Sequence, residues 1–242
     1  MGSMRMWLRW SWRDLRSRWV QVVVISLIIA LGVGAYSGLS SVVQWREITA
    51  DHSYELLTMF DLRVELAEGS FVDAGSMRAV VDSADRNGVV AEIEERLQVP
   101  TQIATTTPEG DVVVRGVVVG VPLEDNGPHI NGLDVPEGRT LTEADIGETT
   151  TLIERNFAIY HELPAAGTLT LSGGRDLSYV GHAITPEYFL VVTEGGGFFA
   201  QASFAAVFTS LETAGEIAGR PGSVNDMVLT LVEGADPDTF QA

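Results

Sequence analysis

The chain has 242 residues, 33 acidic against 15 basic, with a net charge of −18 and a pI near 4.4. A balance this acidic argues against binding nucleic acid, whose phosphates need a basic surface, so no nucleic-acid partner is expected. There is no cysteine, hence no disulfide framework and no thiolate metal site. Every basic residue is arginine, which removes the P-loop lysine and lysine Schiff-base chemistry together.

In residues 4–18, Leu8, Trp12, Leu15 and Trp19 recur at helical spacing beside a stripe of Arg5, Arg9, Arg13 and Arg16. This pattern suits a cytoplasmic amphipathic segment over residues 1–18 lying in the inner membrane interface. Trp12 and Trp19 would sit at headgroup depth and the arginines on lipid phosphates. An ordinary positive-inside flank, rich in tryptophan, is the plainer reading.

No charge stands between Arg18 and Arg46. A helix over residues 19–43 reaches about 37 Å, against a hydrocarbon core of about 30 Å. A transmembrane helix is expected there. A buried core helix would be unusually long. A cleaved signal peptide is suggested by Val33-Gly34-Ala35, but the apolar run continues past Ala35. Residues 1–46 carry net charge +5 and the remainder −23. Arginine beside the span marks the cytoplasmic end, so the main domain is expected to be extracytoplasmic and the protein to reside in the cell membrane. Within the span Ala30, Gly34 and Gly38 repeat every four residues, a small-residue face on which a second helix could pack.

Residues 44–59 continue as a stalk helix. Phe60-Asp61-Leu62-Arg63-Val64-Glu65-Leu66 then alternates, as a half-buried strand does. Residues 74–84 read as a helix with Met77, Val80, Val81 and Ala84 on one face and Asp73 as N-cap. Residues 89–104 read as a strand, although Glu92 to Leu97 also suits a helix. Pro108-Glu109-Gly110-Asp111 turns the chain into a β-branched run over 112–121. Residues 122–150 are rich in turns. Strands are expected over 149–153, 168–171, 177–183, 205–209 and 227–232, and short helices over 155–162 and 211–218. Pro237 starts a further helix. The fold class is α+β: one N-terminal transmembrane helix, then two strand–helix–strand units sharing a sheet (60–121 and 185–242), with a separate β-rich lobe inserted over 122–184.

Candidate chemistry is thin. His52, His129, His161 and His182 form no metal-binding motif and read as surface or turn residues. Glu124-Asp125-Asn126 fails the calcium-loop spacing and reads as a solvated turn. Glu92, Glu94 and Glu95 read as a solvated face, and Asp236 and Asp238 as helix-start acids. Gly195-Gly196-Gly197 lacks the lysine of a phosphate loop. It reads as a connection, beside Phe198 and Phe199. No catalytic residue, cofactor or metal is assigned.

Several segments resemble one known family. Phe60-Asp61-Leu62-Arg63-Val64 follows an arginine-rich start and one span. Val135-Pro136-Glu137-Gly138-Arg139 resembles that family's G-R turn. Glu154-Arg155-Asn156-Phe157-Ala158 resembles its strand-to-helix step. Gly167-Thr168-Leu169-Thr170-Leu171 and Tyr179-Val180-Gly181-His182-Ala183 resemble its paired strands. Together they are similar to the MacB-like periplasmic core domain of FtsX-type permeases, in the mechanotransmission class of ABC transporters. The resemblance implies a non-enzymatic permease of four spans, three of them following this domain, so the chain is expected to be its N-terminal part. It also implies a separate ABC ATPase subunit and pairing as a homodimer or with a second permease. An anchored extracytoplasmic sensor or ligand-binding module is the alternative.

Overall fold

Helix α1 (Trp19–Leu56) is 38 residues long and opens on a window, Trp19–Gly38, of mean hydropathy 2.1 with none of it buried. Val24, Ile25, Ile28, Ile29, Leu31 and Val33 point outward on all sides. A helix apolar all round has no water-facing side, and this one is long and apolar enough to cross a membrane. The computed structural model describes residues 10, 12, 16–85, 88–188, 203–232 and 234–235, with the backbone alone at 35 and 39–55. The chain divides into two compact units, Met1–His52 and Ser53–Ala242.

The second unit is built on β-branched and alternating segments. Its elements are β1 (Leu62–Glu65), β2 (Val72–Asp73), α2 (Ser76–Ala84), β3 (Val90–Thr107), β4 (Gly110–Val121), β5 (Asp134–Gly138), β6 (Thr150–Glu154), α3 (Arg155–Tyr160), β7 (Gly167–Leu171), β8 (Arg175–Ile184), β9 (Phe204–Ser210), α4 (Leu211–Ile217), β10 (Ser223–Val224) and β11 (Asp226–Leu231). Strands β3, β4, β9, β6, β8 and β7 pair in that order, and β7 pairs back onto β3. That closes a six-stranded barrel. Strand β5 extends it from β8, and β11 followed by β1 extends it from β3. Strands β2 and β10 form a separate two-stranded ribbon.

The long strand β3 makes this possible. Its first half pairs with β11 and its second half with β7. Pro100 stands between the two stretches, where the chain changes partner on that side. A proline has no N–H to give a ladder, so it fits the gap.

All six barrel strands feed one core, including Leu97, Ile103, Val118, Ile153, Leu169, Leu177 and Val207, with Phe157 and Ala158 of α3 and Ala214 of α4. The barrel is therefore a packed body without a bore. Gly116 permits this: a Cβ there would meet the Ala205 carbonyl and the Ile103 side chain. On the other face of the same strands lies a second core of Val117, Val119, Leu152, Ala206 and Phe208. From residue 116 to 121 strand β4 is buried on both faces, which is why that half of its sequence is a continuous apolar run. A third core joins Met77 and Val81 of α2 to Ile93, Val224, Met227 and Leu229.

Three expectations change. The inserted segment is not a separate lobe, because β6, β7 and β8 complete the barrel with β3, β4 and β9. The segment over 122–150 contains β5, an edge strand hidden by its proline and glycine. Helix α2 starts after Gly75 in a left-handed conformation, while Asp73 belongs to β2. Glu95 supplies the missing cap, accepting from the Gly75 and Arg78 N–H groups. The stretch from Glu92 to Leu97 is strand, not helix. The helix expected from Pro237, with Asp236 and Asp238, lies outside the described residues, as do Gly195 to Phe199.

Candidate functional site: a buried ion-pair network

After α1 the chain turns at Leu57 and Thr58, the latter with φ of 50°. Both residues are held from across the domain: Asn131 N–H donates to the Thr58 carbonyl at 2.9 Å and Gly132 N–H to the Leu57 carbonyl at 2.8 Å. Phe60 N–H donates to Asn131 Oδ1 at 3.3 Å, so the Asn131 side chain grips the same segment.

The turn carrying Asn131 is itself held by a buried carboxylate. Glu94 of β3 accepts from His129 N–H at 2.7 Å and Ile130 N–H at 3.2 Å. Burial pushes the Glu94 carboxyl above the usual glutamate range, against the pull of those two N–H groups. The expectation of a solvated acidic face at 92–95 is thus overturned for Glu94, which is buried, and for Glu95, which caps α2. From opposite faces of β3, these two carboxylates find backbone N–H groups distant in sequence.

Asn131 also joins the polar centre of the domain. Its Nδ2 donates to Glu187 Oε2 at 3.1 Å. Glu187 accepts in turn from Arg96 Nη1 at 2.6 Å and pairs with Arg63 Nη1 at 3.1 Å. Asp226 accepts from Arg63 Nε at 2.6 Å and from Arg96 Nε at 2.7 Å. Gln98 Nε2 reaches Asp226 Oδ2 at 3.4 Å. Two guanidiniums thus meet two carboxylates, charge for charge, with Glu65 an exposed addition at 3.4 Å from Arg63.

Strand register explains the meeting. Asp226 of β11 stands opposite both Glu65 of β1 and Arg96 of β3. Arg63, two residues from Glu65, reaches Asp226 diagonally. Asp226 is wholly buried and Arg96 is 2% exposed. Burial alone would lower both arginine pKa values, but the Asp226 and Glu187 carboxylates outweigh it and both lie above the ordinary value. The guanidiniums are permanently charged, and the network is a clamp across β1, β3, β11 and two turns. It contains no nucleophile beside a base.

Neither Glu187 nor Asp226 stands out in the sequence. Arg63 and Arg96 stand among other charged residues, Asp61 and Glu65 around the first and Glu92, Glu94 and Glu95 before the second, so they do not mark themselves either. Such residues are ordinarily solvated, and only cross-strand register distinguishes these. His182 also departs from expectation: it is 1% exposed rather than a surface residue. Glu124-Asp125-Asn126 is a short turn with Asp125 and Asn126 at positive φ. Among the described residues no group of His, Asp or Glu is arranged to hold a metal.

The residues expected at the membrane belong to the first unit. Trp12, Arg16 and Trp19 are exposed, and Arg5, Arg9 and Arg13 lie outside the described residues. Ala30, Gly34 and Gly38 are exposed, with open space where a Cβ would stand on either glycine.

No family model matches the chain. Ribosomal protein L11 methyltransferase of Vibrio parahaemolyticus is 28% identical over 149 residues, 55% of this chain and 48% of that protein. The same protein of Photorhabdus laumondii is 28% identical over 147 residues. The chain spans about half the length of the curated relatives it matches. Among solved structures, the extracellular domain of the ABC-type transporter YknZ from Gram-positive bacteria aligns with a TM-score of 0.47 at 11% identity, over 74% of this chain and 88% of that one. The periplasmic region of MacB from Actinobacillus actinomycetemcomitans aligns with a TM-score of 0.43 at 9% identity, over 74% and 78%.

Proposed function

We propose that the chain is the first span and extracytoplasmic domain of an ABC transporter permease of the mechanotransmission type. The permease pairs with a second permease chain and with a separate ABC ATPase, and has no catalytic role of its own. The N-terminus is cytoplasmic, and Ala30, Gly34 and Gly38 form the face on which a neighbouring helix packs. Arg5, Arg9, Trp12, Arg13, Arg16 and Trp19 hold the inner interface.

The observation that carries this reading is the anchorage at Leu57 and Thr58. The chain leaving α1 is held by two backbone hydrogen bonds to residues 131 and 132, and Asn131 is bonded into the buried ion-pair network. A displacement of this segment is resisted by a packed barrel rather than absorbed by a loop. That is the mechanical requirement for passing a stroke of the span to the domain. The charge asymmetry across α1 and the segments resembling FtsX-type permeases support the same reading.

Methyl transfer, the activity in the curated relatives' name, finds less support. The helices that directly follow barrel strands, α3 and α4, begin after Glu154 and Ser210. Neither start offers the glycine-rich turn against which doubly wound α/β folds seat an adenosine-bearing cofactor.

Affinity purification of the complete permease tests the proposal. Recovery of an ABC ATPase subunit is expected. A permease that purifies intact without one, or a chain that binds S-adenosylmethionine, would count against it.

A further inference from the structure

His182 is the one buried imidazole among the described residues, and its two nitrogens are treated differently. Nε2 lies 2.9 Å from the Pro164 carbonyl oxygen, which only accepts, so Nε2 carries a hydrogen. Nδ1 is buried, has no hydrogen-bond partner among the described residues, and faces Glu137 Oε2 at 3.3 Å. In the neutral ring a lone pair therefore confronts a carboxylate. One proton on Nδ1 turns that confrontation into an ion pair, which a small turn of the half-exposed Glu137 side chain aligns as a charge-assisted hydrogen bond.

We infer that Glu137 and His182 form a proton-operated latch holding edge strand β5 onto the barrel. The two residues are direct cross-strand partners in the β5–β8 pairing. That seam is irregular. Its register shifts between Asp134 and Glu137, and Pro136 contributes no N–H. Glu137 is half-exposed and meets solvent protons, while the ring behind it is shielded.

Other groups on the surrounding elements are engaged elsewhere. Glu154, at the end of β6, spends both oxygens on the Asn156 and Phe157 N–H groups of α3. Arg139, just after β5, forms a bidentate pair with Asp145. His161 of α3 packs against Phe157 and Tyr160. The Tyr179 ring of β8 lies 6.3 Å from that of His182, centroid to centroid. Of the remaining charged groups on these elements, Arg175 of β8 pairs with Glu216 and Asp176 accepts from the Thr170 hydroxyl, while Asp134 of β5, Arg155 of α3 and the exposed Glu162 have no ion pair with His182 among the described residues. Glu137 alone presents a carboxylate to Nδ1.

The latch does not depend on the transport reading. If that reading holds, β5 leads directly from the turn that grips Leu57 and Thr58, so external acidity stiffens the anchorage.

The test uses the full chain in detergent micelles. Two-bond nitrogen–proton NMR of the imidazole reports Nδ1 directly between about pH 8 and about pH 5. Hydrogen exchange of the Glu137 and Arg139 amides, corrected for intrinsic rates, reports the seam, since Arg139 N–H donates to the Val180 carbonyl and Glu137, two residues before it, faces β8 in the same phase. Nδ1 is expected to gain a proton as pH falls, with exchange slowing about fivefold, the weight of one hydrogen bond. Glu137→Gln places an amide donor opposite Nδ1 at every pH and should hold exchange slow throughout. His182→Gln keeps a donor for Pro164 and should abolish the pH response. An Nδ1 that stays unprotonated to pH 5, or a response that persists in Glu137→Gln, overturns the latch. Glu137 is half-exposed, so this variant is readable even where His182→Gln fails to fold.

Discussion

Asp226 receives two guanidiniums with none of its surface in water. Replacing it by Asn keeps the shape and removes one of four balanced charges, leaving Arg63 and Arg96 to share Glu187 with one positive charge uncompensated. Breaking a buried pair from one side costs about 3–5 kcal/mol, and Asp226→Asn is expected to lose that much in urea unfolding. A loss under about 1 kcal/mol would mean that water reaches the network. Asp145 gives a second prediction, of opposite character. Its bidentate pair with Arg139 holds the carboxyl at about 2, below the usual 3.8. A carboxyl depressed on folding stabilises above its unfolded value and loses that contribution as pH falls toward 2. Arg139 is half-exposed, so solvent screening limits the effect to about 1 kcal/mol. Arg139→Ala should therefore destabilise the domain at pH 7 and have little effect near pH 2, as thermal melts at the two pH values would show. Neither pairing partner of Asp226 was readable from the chain, because each comes from a distant strand. Arg139 and Asp145 lie within one turn, yet a short polar segment does not reveal whether its charges pair.

Elements were more legible than the contacts between them. Strand β4 and helix α4 announce themselves through a β-branched run and a short amphipathic segment, and both form within one or two residues of expectation. Strand β5 did not, since Pro136 and Gly138 imitate a turn while edge pairing tolerates them. The end of α2 that needed a cap lacked a local one, and the cap came from Glu95 on another element. Glu95→Ala should fray α2 at a cost of about 1 kcal/mol, visible as faster amide exchange at its first turn. Close packing of elements gives a sharper test. A Cβ on Gly120 would meet the Ala214 side chain of α4 and crowd the backbone at Leu211. Gly120→Ala is expected to cost about 1–3 kcal/mol by lifting α4 from β4, and shortening residue 214 with Ala214→Gly should recover part of it. Additive losses in the double variant would show that the two positions do not press on each other.

At the scale of the molecule, two properties come from different sources. Barrel closure is a property of pairing order. The chain shows six apolar strands, but that β3 changes partner at Pro100 and receives β7 is a long-range fact that no local period encodes. The membrane span is written in composition alone, as an uncharged run bounded by Arg18 and Arg46. That difference makes the span the more exposed to a single substitution. Ile28 lies near its middle and is 66% exposed, on a helix with no water-facing side. Ile28→Arg would place a guanidinium at mid-span, at about 2.5–3.5 kcal/mol on an insertion scale. The remaining apolar residues still favour insertion, so a partial loss of carbonate-resistant membrane association is expected. Moving the same arginine to position 20, beside Arg18, should leave association unchanged, because a long side chain at the end of a span reaches the headgroups. If both variants behaved alike, or if Ile28→Arg stayed fully in the membrane fraction, the helix would be held by protein contacts rather than by lipid. A rod dependent on lipid is what force transmission across a bilayer requires, so this pair of variants bears on the proposed role as well as on the topology.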